Sequence, residues 1–167
     1  MELNKGIAVE AGRVVGTVFG GPYVKYRKGT RRLIGIKMAA EINHPHEVSV
    51  PTEDFSVPNP TDLSNGIKAA FDAMANGKDV YVGCMGGVGR TGLFMSVLVK
   101  AVNEYKGLTG DPIMHVRKHY NMHAVETQGQ RNYVTTFDVT PLIKHLKDLN
   151  PTETVGWLAH FRKFWGV

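Results

Sequence analysis

Residues 79–105 constrain the fold more than any other part of the chain. A short apolar run over 79–83 (DVYVG) leads into a turn holding Gly86, Gly87 and Gly89. Directly after it, 91–105 (TGLFMSVLVKAVNEY) is apolar on most faces of a helix. The first run reads as a buried strand and the second as a helix enclosed by other elements. A buried strand that feeds a buried helix needs neighbouring strands beside the one and packed layers around the other, which is an α/β requirement.

The rest of the chain fits that frame. Residues 13–19 (RVVGTVF), 32–37 (RLIGIK) and 47–50 are strand-like, and GGPY at 20–23 reads as a turn. The three prolines within 51–60 (PTEDFSVPNP) exclude helix and central strand and predict an exposed, stiffened loop. Leu63, Ile67, Phe71 and Met74 recur at helical spacing, with Thr61 or Asp62 as the N-terminal cap and Gly77 as the stop. Asp111 and Pro112 predict a cap and first turn of a helix running to about His119. Further helices are expected over 127–137 and 141–149. There is no repeat, low-complexity tract or linker, so one domain is expected over 1–167. Its expected fold is α/β, with a central, mostly parallel or mixed twisted sheet flanked by helices.

The glycine turn also carries chemistry. Backbone N–H groups of such a turn point into a concavity, and the helix N-terminus behind it adds partial positive charge. Met85, Gly86, Gly87, Val88, Gly89 and Arg90 are therefore candidates to bind a phosphate. The chain's one cysteine, Cys84, starts this turn. N–H dipoles and the Arg90 charge favour a thiolate there. Arg90 offers a planar fork for two oxygens of an anion, and Thr91 a hydroxyl for the sulfur. A nucleotide P-loop does not fit, because Cys84 stands where its first glycine belongs and Arg90 where its lysine belongs. The remaining alternative is a structural glycine turn beside a core cysteine.

CMGGVGRTG at 84–92 resembles the C-x5-R-[ST] signature loop of the cysteine-dependent protein tyrosine phosphatases, close to the form C-S-A-G-x-G-R-T-G. The resemblance implies attack by the Cys84 thiolate on a phosphomonoester, a phosphocysteine intermediate, and hydrolysis by water. It also implies an aspartate that protonates the leaving oxygen. Glu53-Asp54-Phe55-Ser56-Val57-Pro58 resembles the family's W-P-D-x-G-V-P loop, with Thr52 and Glu53 in place of its Trp and Pro. Asp54 is thus the candidate general acid. VETQGQRNYV at 125–134 resembles the Q-loop, with Gln130 on its second glutamine and Glu126 on its first. Gln130 is the candidate for placing water, and an exposed helix residue is its alternative. The similarity spans about Pro51 to Tyr133 and the short chain resembles the compact dual-specificity branch.

One departure stands beside the nucleophile. Gly83 occupies the place of the family's histidine. This keeps open a phosphate-binding pseudophosphatase without turnover, and predicts that Gly83→His would strengthen the thiolate.

The charge pattern bears on the partner. Twenty Lys and Arg against fifteen Asp and Glu give +5. From Ala11 to Ala40 there is no acid, while Arg13, Lys25, Arg27, Lys28, Arg31, Arg32 and Lys37 lie there. Glu41 to Gly66 has no Lys or Arg and carries Glu41, Glu47, Glu53, Asp54 and Asp62. A basic stretch suits an anionic partner. The expected partner is a phosphorylated protein or peptide, phosphotyrosine first, with phosphoserine and phosphothreonine as further candidates. An RNA 5′-phosphatase, motivated by the basic 25–37 stretch, is the alternative. No apolar run is long enough to span a bilayer, the first residues lack a signal-peptide pattern, and a reduced lone thiol fits the cytoplasm. Neither cofactor nor metal is expected: His115/His119 and His44/His46 are pairs that no further ligand pattern completes. The aromatic C-terminal run with Trp157, Phe161, Phe164 and Trp165 is expected to dock on the domain's own core.

Overall fold

A computed structural model of the chain describes residues 5–29 and 32–151. The C-terminal aromatic run and Arg31 lie outside the described residues. Among those described, one five-stranded mixed sheet is flanked by five α-helices, in agreement with the expected α/β class.

The strands are β1 (Gly6–Ala11), β2 (Val14–Pro22), β3 (Leu33–Ala39), β4 (Val48–Thr52) and β5 (Asp79–Cys84), in the spatial order β1-β2-β5-β3-β4. β1 and β2 form an antiparallel hairpin; the β2–β5, β5–β3 and β3–β4 pairs are parallel. β1 was not anticipated, although Ile7, Val9 and Ala11 alternate inward as a strand with one buried face demands. β2 runs through Gly20, Gly21 and Pro22, where the sequence suggested a turn. The reason is β5: Gly20, Gly21 and Pro22 pair with Val82, Gly83 and Cys84. Pro51 and Thr52 belong to β4, at the sheet edge where a proline is tolerated, so the irregular loop begins at Glu53.

The helices are α1 (Pro60–Ala75), α2 (Gly89–Tyr105), α3 (Pro112–His119), α4 (Gln128–Thr136) and α5 (Thr140–Leu149). Asn59, rather than Thr61 or Asp62, caps α1: its side chain accepts from Thr61 N–H and Asp62 N–H, and Pro60 takes the first helical position. Asp111 caps α3 as expected. α2 is buried along nearly its whole length and packs against α3, α4, α5 and the sheet.

The two faces of the sheet are covered differently. On one, Gly16 faces Met74 of α1, and Gly20 faces Met95 of α2. On the other, Gly35 and Gly83 lie against Tyr23 and Tyr26, which a short 3-10 turn folds back over the strands. Tyr26 stacks on Tyr81 with ring centroids 5.7 Å apart. Glu47 anchors this layer, accepting from Tyr26 OH at 2.7 Å and from Gly35 N–H at 2.6 Å. No described helix is long and apolar enough to cross a membrane.

Candidate active site

Parallel strands send their C-terminal ends to one edge, and loops leaving that edge converge. Cys84 ends β5, Pro22 ends β2 beside it, Glu41 follows β3, and Asp54 follows β4. The geometry therefore brings Cys84, Arg90, Thr91 and Asp54 together, as expected from sequence, and adds Glu41, which sequence reasoning treated only as part of an acidic stretch.

Cys84 is buried, and Thr91 Oγ1 donates to its sulfur at 3.1 Å. The chain then turns through Met85 and Gly86, both exposed, and Val88, half-buried, into the first turn of α2. Gly87 requires φ +74, and a Cβ there would stand 2.5 Å from Gly21 Cα. Tyr120, from the end of α3, donates its hydroxyl to the Gly87 carbonyl. Burial, followed by the nearby Cys84, raises the Tyr120 pKa and keeps the phenol a donor. The Glu126 carboxylate lies against Gly89, so a side chain there would have to displace it.

Arg90 is almost wholly buried at 1% exposure. Its Nη1 donates to Glu41 Oε2 and to the Thr52 carbonyl, each at 2.8 Å, and Nη2 donates to Glu41 Oε1 at 2.7 Å. Nη2 also lies 3.3 Å from Asp54 Oδ1. Nε has no hydrogen-bond partner among the described residues. The hydrogen bond from Arg90 pulls Glu41 down to about 2 from its ordinary 4.5, against the effect of burial. Burial opposes the guanidinium charge; the hydrogen bond to Glu41, then Cys84, outweigh it and raise Arg90.

Asp54 is half-exposed and accepts from Phe55 N–H at 3.0 Å, with Phe55 itself at φ +59. Gln130 is not an exposed helix residue: it is 1% exposed. Its Oε1 accepts from Glu126 N–H at 2.8 Å and Thr127 N–H at 3.2 Å, while Nε2 donates to the Ser56 carbonyl at 3.2 Å. It thus ties the start of α4 to the Asp54 loop. Only the local half of this, the hold on the start of α4, had a signal in the sequence: Thr127 and Gln130, a capping box spaced three apart.

Other sequence candidates have structural employment. Lys37 is buried and donates to the Ile42 carbonyl, so it leaves the basic surface. His44 Nε2 meets the Tyr26 carbonyl at 2.8 Å, and His46 Nδ1 meets the His44 carbonyl at 2.9 Å. His115 and His119 have ring centroids 4.4 Å apart; among the described residues no three His, Cys, Asp or Glu gather as a metal site.

A buried thiol with a hydroxyl donor, a guanidinium whose Nε is unpaired among the described residues, and a carboxylate next to it can hold a phosphate, attack its phosphorus and deliver a proton. Comparison with known proteins points the same way. Residues 23–103 match a family model described as "Tc-R-P: Polymorphic toxin system, DSP-PTPase phosphatase". Two uncharacterized proteins of Methanocaldococcus jannaschii, MJECL20 and MJ0215, are each 34% identical over 90 residues, 53% of this chain. The chain spans about half the length of these relatives, 56% and 52%. In fold it is similar to Tk-PTP in its active form, with TM-score 0.56 and 19% identity over 74% of this chain and 91% of that one. It is also similar to a glycine-to-alanine mutant form of Tk-PTP, with TM-score 0.57 and 18% identity over 92% of this chain and 99% of that one.

Proposed function

We propose, from the premise that this chain is a cysteine-based protein tyrosine phosphatase-like domain of the compact dual-specificity type, that it hydrolyses phosphomonoesters on phosphoproteins in the cytoplasm. Phosphotyrosine is the first candidate, and phosphoserine and phosphothreonine are the next. The observation that carries this reading is the cluster of Thr91 Oγ1 on Cys84 Sγ with the unpartnered Nε of Arg90 beside it.

In this reading the substrate phosphate sits in the 85–90 turn. Its oxygens take backbone N–H groups and the free Nε of Arg90. Glu41 and the Thr52 carbonyl hold the guanidinium in place, so the clamp is oriented before substrate arrives. The Cys84 thiolate attacks phosphorus, and the P–O bond to the leaving group breaks. Asp54 gives its proton to that oxygen. Thr91 stabilises the sulfur as it is released in the second step, when water attacks the phosphocysteine and Asp54 takes the water's proton. Gln130 acts first as a positioning residue, holding the Asp54 loop through Ser56. Placement of the water, implied by the family resemblance, is a second task for it.

Hydrolysis of an aryl phosphate by the wild type and by Cys84→Ser, side by side, tests the reading. Turnover is expected in the first alone. Phosphate binding without turnover in the wild type would make the chain a binding module.

A further inference from the structure

α3 carries two histidines four residues apart, His115 and His119, along its second half. Residues at that spacing share one face of a helix, with Cβ atoms about 5–6 Å from each other. Ile113 and Val116 are buried in the core, while His115 and His119 are exposed. The two ring centroids lie 4.4 Å apart, tilted by 41°.

Uncommitted ring nitrogens set this pair apart. His44 Nε2 meets the Tyr26 carbonyl, His46 Nδ1 the His44 carbonyl, and His145 Nε2 the Asp72 carboxylate at 2.7 Å. Among the described residues neither His115 nor His119 has a hydrogen-bond partner for its ring. Near neutral pH an exposed imidazole is mostly uncharged and has a lone pair to give. Imidazole suits zinc, copper and nickel, whereas magnesium and calcium prefer oxygen. A metal–nitrogen bond of about 2.0–2.1 Å puts two ligating nitrogens about 3 Å apart. Rings already 4.4 Å apart at their centres reach that by side-chain rotation. No third His, Cys, Asp or Glu joins them among the described residues, so water would fill the remaining positions. Lys118 lies between them in sequence, and its charge works against a divalent ion.

The place of the pair in the fold gives such a chelate a task. A helix of eight residues is marginal by itself. Asp111 caps the start of α3, accepting from Ile113 N–H at 2.9 Å. At the other end Tyr120 N–H donates to the Val116 carbonyl at 2.8 Å, and the Tyr120 hydroxyl donates to the Gly87 carbonyl of the signature turn. A metal across His115 and His119 would close the last turn of α3 from the solvent side, directly before Tyr120.

We propose that His115 and His119 form an open two-imidazole site for a divalent first-row transition ion, copper or zinc, which ties the last turn of α3. The site needs neither Cys84 nor Arg90 and stands apart from the phosphatase reading.

The test is calorimetric titration of tag-free Cys84→Ser protein, in which the thiol cannot compete, with Cu²⁺, Zn²⁺ and Mg²⁺. Copper should bind tightest, zinc more weakly and magnesium not at all. His115→Ala and His119→Ala should each weaken copper binding by about tenfold or more, and His123→Ala should leave it unchanged. Nitrogen splitting in the copper electron paramagnetic resonance spectrum should report two imidazoles, and fewer in either single variant. At a hundredfold excess over its Kd, zinc should raise Tm by roughly 5–10 °C, and should not do so in His115→Ala/His119→Ala. Both side chains are exposed, so the metal-free melts of these variants should match that of the parent. Absence of copper binding to the folded protein overturns the proposal. So does binding that survives the double substitution or is lost in His123→Ala, since the ion then sits elsewhere. Binding through both histidines with no rise in Tm overturns the tie to α3.

Discussion

Gly83 lies so close to Gly21 that a Cβ on it would stand 2.6 Å from the Gly21 carbonyl oxygen, with Tyr23 N and Cα each at 2.9 Å. All three are backbone atoms in or beside a paired strand and cannot move aside as a side-chain tip would. The place of the family's histidine is therefore filled by neighbouring backbone. A histidine at 83 would require that backbone to move, so whatever it adds to the thiolate comes with a cost to the fold. Gly83→Ala should lower stability by about 1–3 kcal/mol, and Gly83→His by more. Thermal melts read this directly; an unchanged Tm for the histidine variant would show that the strands can part.

Cys84→Ser should cut aryl phosphate turnover by roughly three orders of magnitude or more, because a serine hydroxyl is not ionised at neutral pH. The melt should stay near that of the wild type, since the change is small and Thr91 can still donate to the new oxygen. Substantial residual turnover would remove Cys84 as the nucleophile.

Arg90→Lys should lose about as much activity as Arg90→Ala, on the order of 10²-fold or more in kcat. A lysine cannot bridge both Glu41 oxygens and the Thr52 carbonyl while presenting a further N–H to substrate. Steady-state kinetics decide this, and near-native kcat and KM in the lysine variant would end the clamp assignment.

Asp54→Asn should slow an alkyl phosphate by about two to four orders of magnitude and an aryl phosphate by less, since a phenolate leaves with less help. Comparison of the two substrates separates loss of a proton donor from disturbance of the loop. Equal losses would point to disturbance, with Asp62 then examined as the acid.

Glu41 gives a stability signature with pH. Its folded value, about 2, lies below the ordinary 4.5, so its ionised form is favoured in the fold. That contribution is present in full above pH 4.5 and is lost as pH falls from 4.5 toward 2. Urea midpoints of wild type and Glu41→Gln should differ at pH 7 and draw together through this window. A gap that stays constant down to pH 3 would mean that the pair does not couple to folding.

The sequence by itself determined what depends on near neighbours. The run from Asp79 to Tyr105 set strand, turn and buried helix because periodicity, glycine and chain direction act within a few residues. Asp111 and Pro112 set the start of α3 for the same reason, and Asn59 before Pro60 sets the start of α1 just as locally. Cys84, Arg90 and Thr91 were legible because one turn holds them. Tertiary structure alone decided the rest. Glu41 reaches Arg90 across 49 positions because β3 and β5 are parallel neighbours whose ends share an edge. Gln130 meets Ser56 across 74 positions. Gly20 to Pro22 continue a strand instead of turning because β5 supplies its hydrogen-bond partners. Gly83 tolerates no side chain because of the same pairing and the fold-back of Tyr23, a limit set by packed backbone that no local propensity encodes.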